Sequence, residues 1–498
     1  MTIYSGFIPV PLKEHTDESA AAPATAELFT IFVQQAGGVV GGPLMTWLNG
    51  GPGCSSLGGF LMGVGPLFLD RCKRPEQAWC EDNEECKGMP EDSKDCTEEL
   101  VTNPHSWHRH ASLLFIETPP PVGFSKGDIN QWRKGVGNSR WAPVTQQALG
   151  AFHARALETI VSTLEQSLVT EPFESIFLGG ESFAGIYLGH MIPHVLETDT
   201  IGSRFRGALI GNPKLGTRDR LEAAPAAFVD RCIMKPSEME TLQQSCDRSI
   251  PFSEQVDLKA KQPNECTKEW VSYYNRASHV TDRGTRGGRS WYNSDFPCEM
   301  CSTGSGAVEP CSPECFDLRP YERLLRHRGT REQLGADGDR DSLGHLGGDG
   351  DGKWEFCKDV SKWVADYPMV ETPPFLQSPT TYLTASKSSE FRFWLFSGDT
   401  DLESLHEVSR QSMVHMFGQP QLQTPWQGTT GKTFGDFLTF ADFEGARLVR
   451  IKGGGHITTY YATEASADVF RRFISGSTPG GVGAEPAFVA PKGGTCPV

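Results

Sequence analysis

The stretch FESIFLGGESFAGIYLGHMIPH, Phe173 to His194, constrains the chain most, because it sets a serine between a strand and a helix. Ser175, Ile176, Phe177 and Leu178 form a short β-prone run, Gly179 and Gly180 break it, and Ala184 to Leu196 reads as an apolar-rich helix. Ser182 sits on the break. A serine on a tight strand-to-helix turn has its hydroxyl pushed clear of the backbone, and the following helix aims its N–H groups toward it. Such dipoles favour both an alkoxide-like attacker and the oxyanion that it creates. A glycine-flanked serine in an ordinary βα turn reads the same way, and Ala184 stands where G-x-S-x-G has its last glycine. The motif needs partners.

Two later segments supply them. Phe391 to Phe396, FRFWLF, reads as a strand running into SGDTD, and Leu448 to Ile451 as a strand running into GGGH. Both acids and the histidine then fall at strand ends, and Ser182, Asp401, His456 follow the Ser, Asp, His order of α/β-hydrolases. Alone, the histidine reads as a loop residue and Asp-Thr-Asp as a helix cap; Asp399 also competes with Asp401.

The 498 residues suffice for one large α/β domain with insertions or for two or three ordinary domains. With 46 basic against 62 acidic residues the formal charge is −16, which argues against nucleic acid or anionic membrane as a partner. No run approaches the roughly 20 apolar residues of a membrane span, so no membrane insertion is expected. Fourteen cysteines, an even number, suit complete pairing in an oxidising compartment. Cys298, Cys301, Cys311 and Cys315 resemble a four-thiolate zinc site, but the other cysteines lack ligand spacing and favour disulfides. Asp337, Asp339 and Asp341 suggest calcium, yet an EF-hand count from Asp337 puts Ser342 and Gly348 where Gly and Glu belong. The expectation is therefore no metal and no cofactor. The N-terminus MTIYSGFIPV shows no secretory signal, and no N-glycosylation sequon occurs.

From the start, Tyr4 to Ile8, Leu28 to Gln34 and Leu44 to Leu48 read as strands, and WLNGGPGCSSLGG follows the third directly. Its Asn49, Gly50, Gly51, Pro52 and Gly53 demand a hard turn that can leave N–H groups facing outward, although a plain Gly-Pro turn has the same composition. Ser112 to Glu117 is a further strand and Thr145 to Leu168 a long helix, so strand and helix alternate as in a parallel sheet.

WLNGGPGCSS beside GESFAG resembles the serine carboxypeptidase family, which includes carboxypeptidase Y and cathepsin A. The likeness extends to YSGF, NPHSWHRHASLLFIETPPPVGFS, FRGALIGNP, FSGDTD and GGGH. It implies an α/β-hydrolase fold, a central mostly parallel sheet flanked by helices, with a cysteine-rich insertion or cap. On this reading residues 1–475 form the hydrolase domain. Within it, 70–100 is an insertion stapled by two local disulfides, 216–390 a polar, irregular cap, and 476–498 a Gly/Pro-rich tail. The resemblance also implies a Cys54–Cys357 disulfide.

It further implies Ser182 as nucleophile, His456 as base and Asp401 as triad acid, with Asp399 supporting the turn. The oxyanion hole falls on the N–H groups of Gly51 and Phe183, and substrate carboxylate binding on Asn49, Gly50 and Glu181. A glutamate donates to a carboxylate only when protonated, so acidic pH and a lysosomal, vacuolar or otherwise secretory setting are expected. There are three departures from the family pattern: Gly63 replaces a second glutamate, Phe183 a tyrosine, and Ile457, Thr458, Thr459 the usual Met-Val-Pro. The first functional reading is a serine-type carboxypeptidase acting on a peptide or protein C-terminus. The alternatives are an acyltransferase or esterase with the same triad, and a low-turnover protective or binding protein; monomer and homodimer are both left open.

Overall fold

The computed structural model describes the chain outside residues 13–24, 71–98, 128–143, 283–290, 295–299, 303–307, 311–316, 337–353, 359–370, 386–389, 429–430 and 478–498 and positions 170, 232 and 259. In chain order its strands are β1 (Ile3–Pro11), β2 (Thr25–Val33), β3 (Pro43–Leu48), β4 (Leu67–Asp70), β5 (Glu99–Thr102), β6 (Ser112–Ile116) and β7 (Ser175–Glu181). There follow β8 (Phe205–Gly211), β9 (Met300–Ser302), β10 (Val308–Pro310), β11 (Arg392–Gly398), β12 (Pro420–Gln427), β13 (Thr433–Phe440) and β14 (Ala446–Ile451). One sheet has the order β1-β2-β6-β3-β7-β8-β11-β14-β13-β12. Neighbours from β6 to β14 run parallel, and antiparallel pairs complete both ends.

The central strands are continuous apolar runs because helices cover both faces. β3 shows the sorting: Leu44 and Leu48 join one core cluster, Met45 and Trp47 the other, as the two-residue period of a strand requires. The first cluster takes Leu149, Phe152 and Leu157 from the helix Gln146–Ser167, with Ile186, Leu188 and Met191 from Ala184–Glu197. The second takes Val469, Phe470 and Phe473 from the helix Thr463–Ser475. Thr145 is the cap of its helix, its Oγ1 accepting from Ala148 N at 3.1 Å.

Two local expectations change. Gly179 and Gly180 do not break β7 but lie within it, where there is no room for a larger residue: a Cβ on Gly179 would stand 2.7 Å from Met45 Sδ, and one on Gly180 2.5 Å from Leu48 O. The break falls at Ser182. From Thr217 to Asp282 the region expected to be irregular is largely helical, with helices Thr217–Asp230, Pro236–Ser245, Phe252–Gln255 and Glu265–Asp282 around Phe228, Leu242, Trp270 and Trp291. That cluster includes Leu402, Leu405 and Val408 from beyond β11, so it packs directly on the turn that carries Asp401. β12 contains Pro420 and Pro425 and is tolerated because it is an edge strand.

Disulfides join Cys54 to Cys357 and Cys246 to Cys266, and no free cysteine occurs among the described residues. The staples expected in 70–100, the aspartates at 337–341, the side chains of Cys298, Cys301, Cys311 and Cys315, and Cys496 lie outside the described residues. Among the described residues no His, Cys, Asp or Glu group could hold a metal ion, and no helix is long and apolar enough to cross a membrane.

Candidate active site

Ser182 stands between β7 and the helix Ala184–Glu197 with φ 58°, a left-handed conformation that costs a non-glycine residue roughly 1–3 kcal/mol. Backbone hydrogen bonds hold it there. Ser182 N donates to Gly211 O at 2.9 Å, and its own carbonyl accepts from Gly185 N at 3.0 Å and Lys214 N at 2.8 Å. The side chain therefore leaves the strand end toward the loops that follow β11 and β14.

His456 Nε2 lies 3.0 Å from Ser182 Oγ, and His456 Nδ1 lies 2.9 Å from Asp401 Oδ2. All three residues are buried. Asp401 Oδ1 also accepts from the backbone N–H groups of Glu403 at 2.7 Å and Ser404 at 3.0 Å. Burial disfavours the imidazolium, but the charge of Asp401, its hydrogen bond and the charge of Glu403 outweigh it and hold His456 above its ordinary value of 6.5. Asp399 plays a different part. Its Oδ1 accepts from Gly453 N at 2.7 Å and braces the loop that carries His456.

Asn212, at the end of β8, is a residue that the motif FRGALIGNP contains but to which sequence reasoning assigns no role. Its Nδ2 donates to Asp401 Oδ2 at 2.6 Å, its Oδ1 accepts from Thr458 Oγ1, and its backbone takes a φ of 41°. The available signal was a polar residue ending the apolar run GALIG. The helical region also reaches the site. Tyr292 sets its ring edge-on to His456 with centroids 4.9 Å apart, and its carbonyl accepts from His456 N at 2.6 Å. Ser294 N donates to Thr400 O and Leu402 N to Trp291 O, so a four-residue segment clasps both loops.

On the other side of β7, the glycine loop follows β3. A Cβ on Gly50 would lie 2.4 Å from Phe183 N and 2.7 Å from Glu181 O, so only glycine lets this loop meet the serine turn. Asn49 is fixed through Oδ1, which accepts from Trp47 Nε1 at 2.8 Å and Gly59 N at 3.0 Å. That leaves Asn49 Nδ2 to donate to Glu181 Oε1 at 2.8 Å. Burial pushes the Glu181 carboxyl up to about 7, against the opposing pull of His456 and Asn49. Glu117, a second buried acid pushed up to about 7 by burial, accepts from Ser55 Oγ and anchors the same loop.

Gly63, where the family pattern has a second glutamate, has φ 119°, and a Cβ there would stand 2.1 Å from Thr459 O. Thr459 belongs to the segment that departs from Met-Val-Pro, so the two departures meet in space. Restoring the acid with Gly63→Glu is therefore expected to destabilise the fold by about 3 kcal/mol or more rather than rebuild an acid pair. A thermal melt beside wild type checks this; an unchanged transition contradicts it.

The family description "Serine carboxypeptidase" matches residues 2–476. Serine carboxypeptidase-like 34 of Arabidopsis thaliana is 23% identical over 463 residues, covering 87% of this chain and 79% of that protein. Carboxypeptidase Y homolog A of Talaromyces marneffei is 24% identical over 460 residues, covering 87% of this chain and 67% of that protein. Among solved structures, Kex1Δp, a prohormone-processing carboxypeptidase from Saccharomyces cerevisiae, superposes with a TM-score of 0.64 at 18% identity, covering 95% of this chain and 91% of that one. That likeness shows a shared fold, the α/β-hydrolase arrangement expected from the motifs. With a family match across nearly the whole described chain, the conclusion is direct: the chain belongs to the serine carboxypeptidase family.

Proposed function

We propose that the chain hydrolyses C-terminal peptide bonds through an acyl-enzyme on Ser182, with His456 as general base and then general acid and Asp401 orienting the imidazole. The observation that carries this reading is the unbroken array from Ser182 Oγ to His456 Nε2 at 3.0 Å and from His456 Nδ1 to Asp401 Oδ2 at 2.9 Å, on a strained strand-to-helix turn. His456 takes the Ser182 proton as Oγ attacks the scissile carbonyl. The N–H groups of Gly51 and Phe183 receive the oxyanion, a role supported by the close approach at Gly50. The imidazolium then protonates the departing amine, and water releases the acyl group by the same steps in reverse.

Asn49, Gly50 and a protonated Glu181 bind the terminal carboxylate in this reading. The upward shift of Glu181 supports it, because a carboxyl that keeps its proton near neutrality can donate to an anion. The two disulfides support a secretory-pathway setting, lysosomal, vacuolar or extracellular. Transfer of the acyl group to an alcohol uses the same triad, and the missing acid at Gly63 favours it as the second reading.

The test uses a serine-directed phosphonofluoridate, then N-blocked dipeptides beside their C-terminal amides and esters. Label on Ser182 with preference for the free carboxylate is expected. No label sinks both enzymatic readings, and ester cleavage alone favours the second. Within the same assay, Asn212→Ala is expected to lower kcat by about 10- to 100-fold with little change in KM, since a hydrogen bond to a charged group is worth about 1.5–3 kcal/mol. Normalising kcat to titrated Ser182 separates this from loss of folded enzyme.

A further inference from the structure

A charged cluster borders the nucleophile on the side away from the glycine loop, and the mechanism above does not use it. Lys214 touches the serine turn through its backbone, donating to Ser182 O at 2.8 Å. Its Nζ lies 2.6 Å from Glu403 Oε1, two residues beyond Asp401. Glu403 Oε2 accepts from Trp291 Nε1 at 2.6 Å and lies 4.0 Å from Arg220 Nη2, which also donates to Tyr274 Oη at 2.6 Å. The side chains of Lys214, Arg220 and Glu403 are 21%, 28% and 18% exposed, so the cluster is largely buried but not sealed from solvent.

Two cations share the Glu403 carboxylate, which is engaged by Lys214, Arg220 and Trp291 together, while the nearby Asp401 carboxylate is taken up by His456 and Asn212 and adds its charge to the surroundings of Arg220. The lysine ammonium has three donors, and among the described residues Glu403 is its partner. The surplus donor capacity is cationic. A partly desolvated cation with donors to spare suits an anionic group brought by a ligand.

The sheet order says which part of a substrate would meet it. β3, leading into Asn49 and Gly50, flanks β7 on one side; β8 and β11, leading into Lys214 and the Asp401–Glu403 turn, lie on the other. A peptide with its terminal carboxylate at Asn49 and its scissile carbonyl on Ser182 places the residue that supplies the carbonyl over the β8 side. We propose that Lys214, backed by Arg220, recognises a carboxylate side chain on that acyl-side residue, so that the enzyme prefers peptides whose penultimate residue is acidic. This rests on the carboxypeptidase reading. Lys214 is here a specificity-determining residue, and Glu403 holds its ammonium in place.

Esters read acylation without needing a terminal carboxylate, so they separate the two readings. The full chain is assayed at about pH 7, where a substrate glutamate is ionised, with N-blocked p-nitrophenyl esters of Glu, Gln, Leu and Lys. Blocked dipeptides of the same four residues, each followed by phenylalanine, are run in parallel. The expected order in kcat/KM is Glu first and Lys last, with Glu over Leu by about tenfold. Lys214→Met should bring the Glu to Leu ratio to about one, and Lys214→Arg should keep most of it. Raising the salt should shrink the wild-type ratio, a readout that needs no variant. Equal rates for Glu and Leu, a Leu preference, or a Glu preference that survives Lys214→Met overturns the proposal. A Glu preference among esters with intact dipeptides upholds Lys214 as the reader of an acyl-side carboxylate but removes the peptide preference together with the carboxypeptidase reading. Absence of acylated Ser182 by mass spectrometry with every ester overturns both.

Discussion

Ser182→Gly is expected to remove turnover and stabilise the protein at the same time. The loss should be about four to six orders of magnitude in kcat, as for other enzymes of this chemistry deprived of the nucleophile. The gain arises because Ser182 holds φ 58°, where an L-residue is strained and glycine is not. Relief should add about 1 kcal/mol after the extra backbone entropy of glycine is subtracted. Ser182→Ala is the control: it loses the hydroxyl but keeps the strain, so it should match the glycine variant in kcat and fall below it in melting temperature. A residual rate above a hundredth of wild type in either variant would rule out Ser182 as nucleophile. Equal melting of the two variants would show that the turn stores no strain.

The pH profile should depend on whether the substrate carries a free carboxylate. Glu181 must be protonated to donate, and with its carboxyl at about 7 it does so below that value. As pH rises through 7 the carboxylate forms, repels the substrate's own carboxylate, and KM for a blocked dipeptide climbs by up to about tenfold per unit before levelling. His456 acts oppositely. It must be neutral to take the serine proton, and its value lies above 6.5, so kcat falls about tenfold per unit on the acid side. Peptides should therefore give a narrow bell near neutrality, displaced upward from the acidic optimum that Glu181 alone suggests. Esters should show only the rising limb. Glu181→Gln, which keeps a donor at every pH, should abolish the alkaline rise in KM; if that rise persists, Glu181 does not read the substrate carboxylate.

Much of this site was legible because its strand-end turns announce themselves locally. GGESFAG, NGGPG, SGDTD and GGGH each combine an apolar run with residues that permit sharp turns, and Ser182, Asp401 and His456 come in an informative order. What was not legible lies in pairings across strands. Asn212 and Asp401 are 189 positions apart, and nothing around Asn212 announces the contact. Lys214 and Glu403 are ordinary surface residue types until β8 and β11 are set side by side. Gly179 and Gly180 misled because they read as a break, whereas the crowding of Met45, Leu48 and Ala184 makes them strand residues. The helices after Pro213 were hidden because their sequences are mostly polar; their apolar residues gather into a core only once Phe228, Trp270 and Trp291 meet.

The position of β8 in the sheet has a consequence for biosynthesis. Its far edge is completed by β11, with Gly207 opposite Arg392, 185 residues later (392 − 207). At about 5–20 residues per second a ribosome needs roughly 10 to 40 s to deliver that partner. Throughout that interval the β6-β3-β7-β8 block can form while β8 presents an open parallel edge of apolar residues, the kind of surface on which nascent chains aggregate. Yield in a heterologous host should accordingly respond more to slowed synthesis and chaperone supply than to improvements in the final fold.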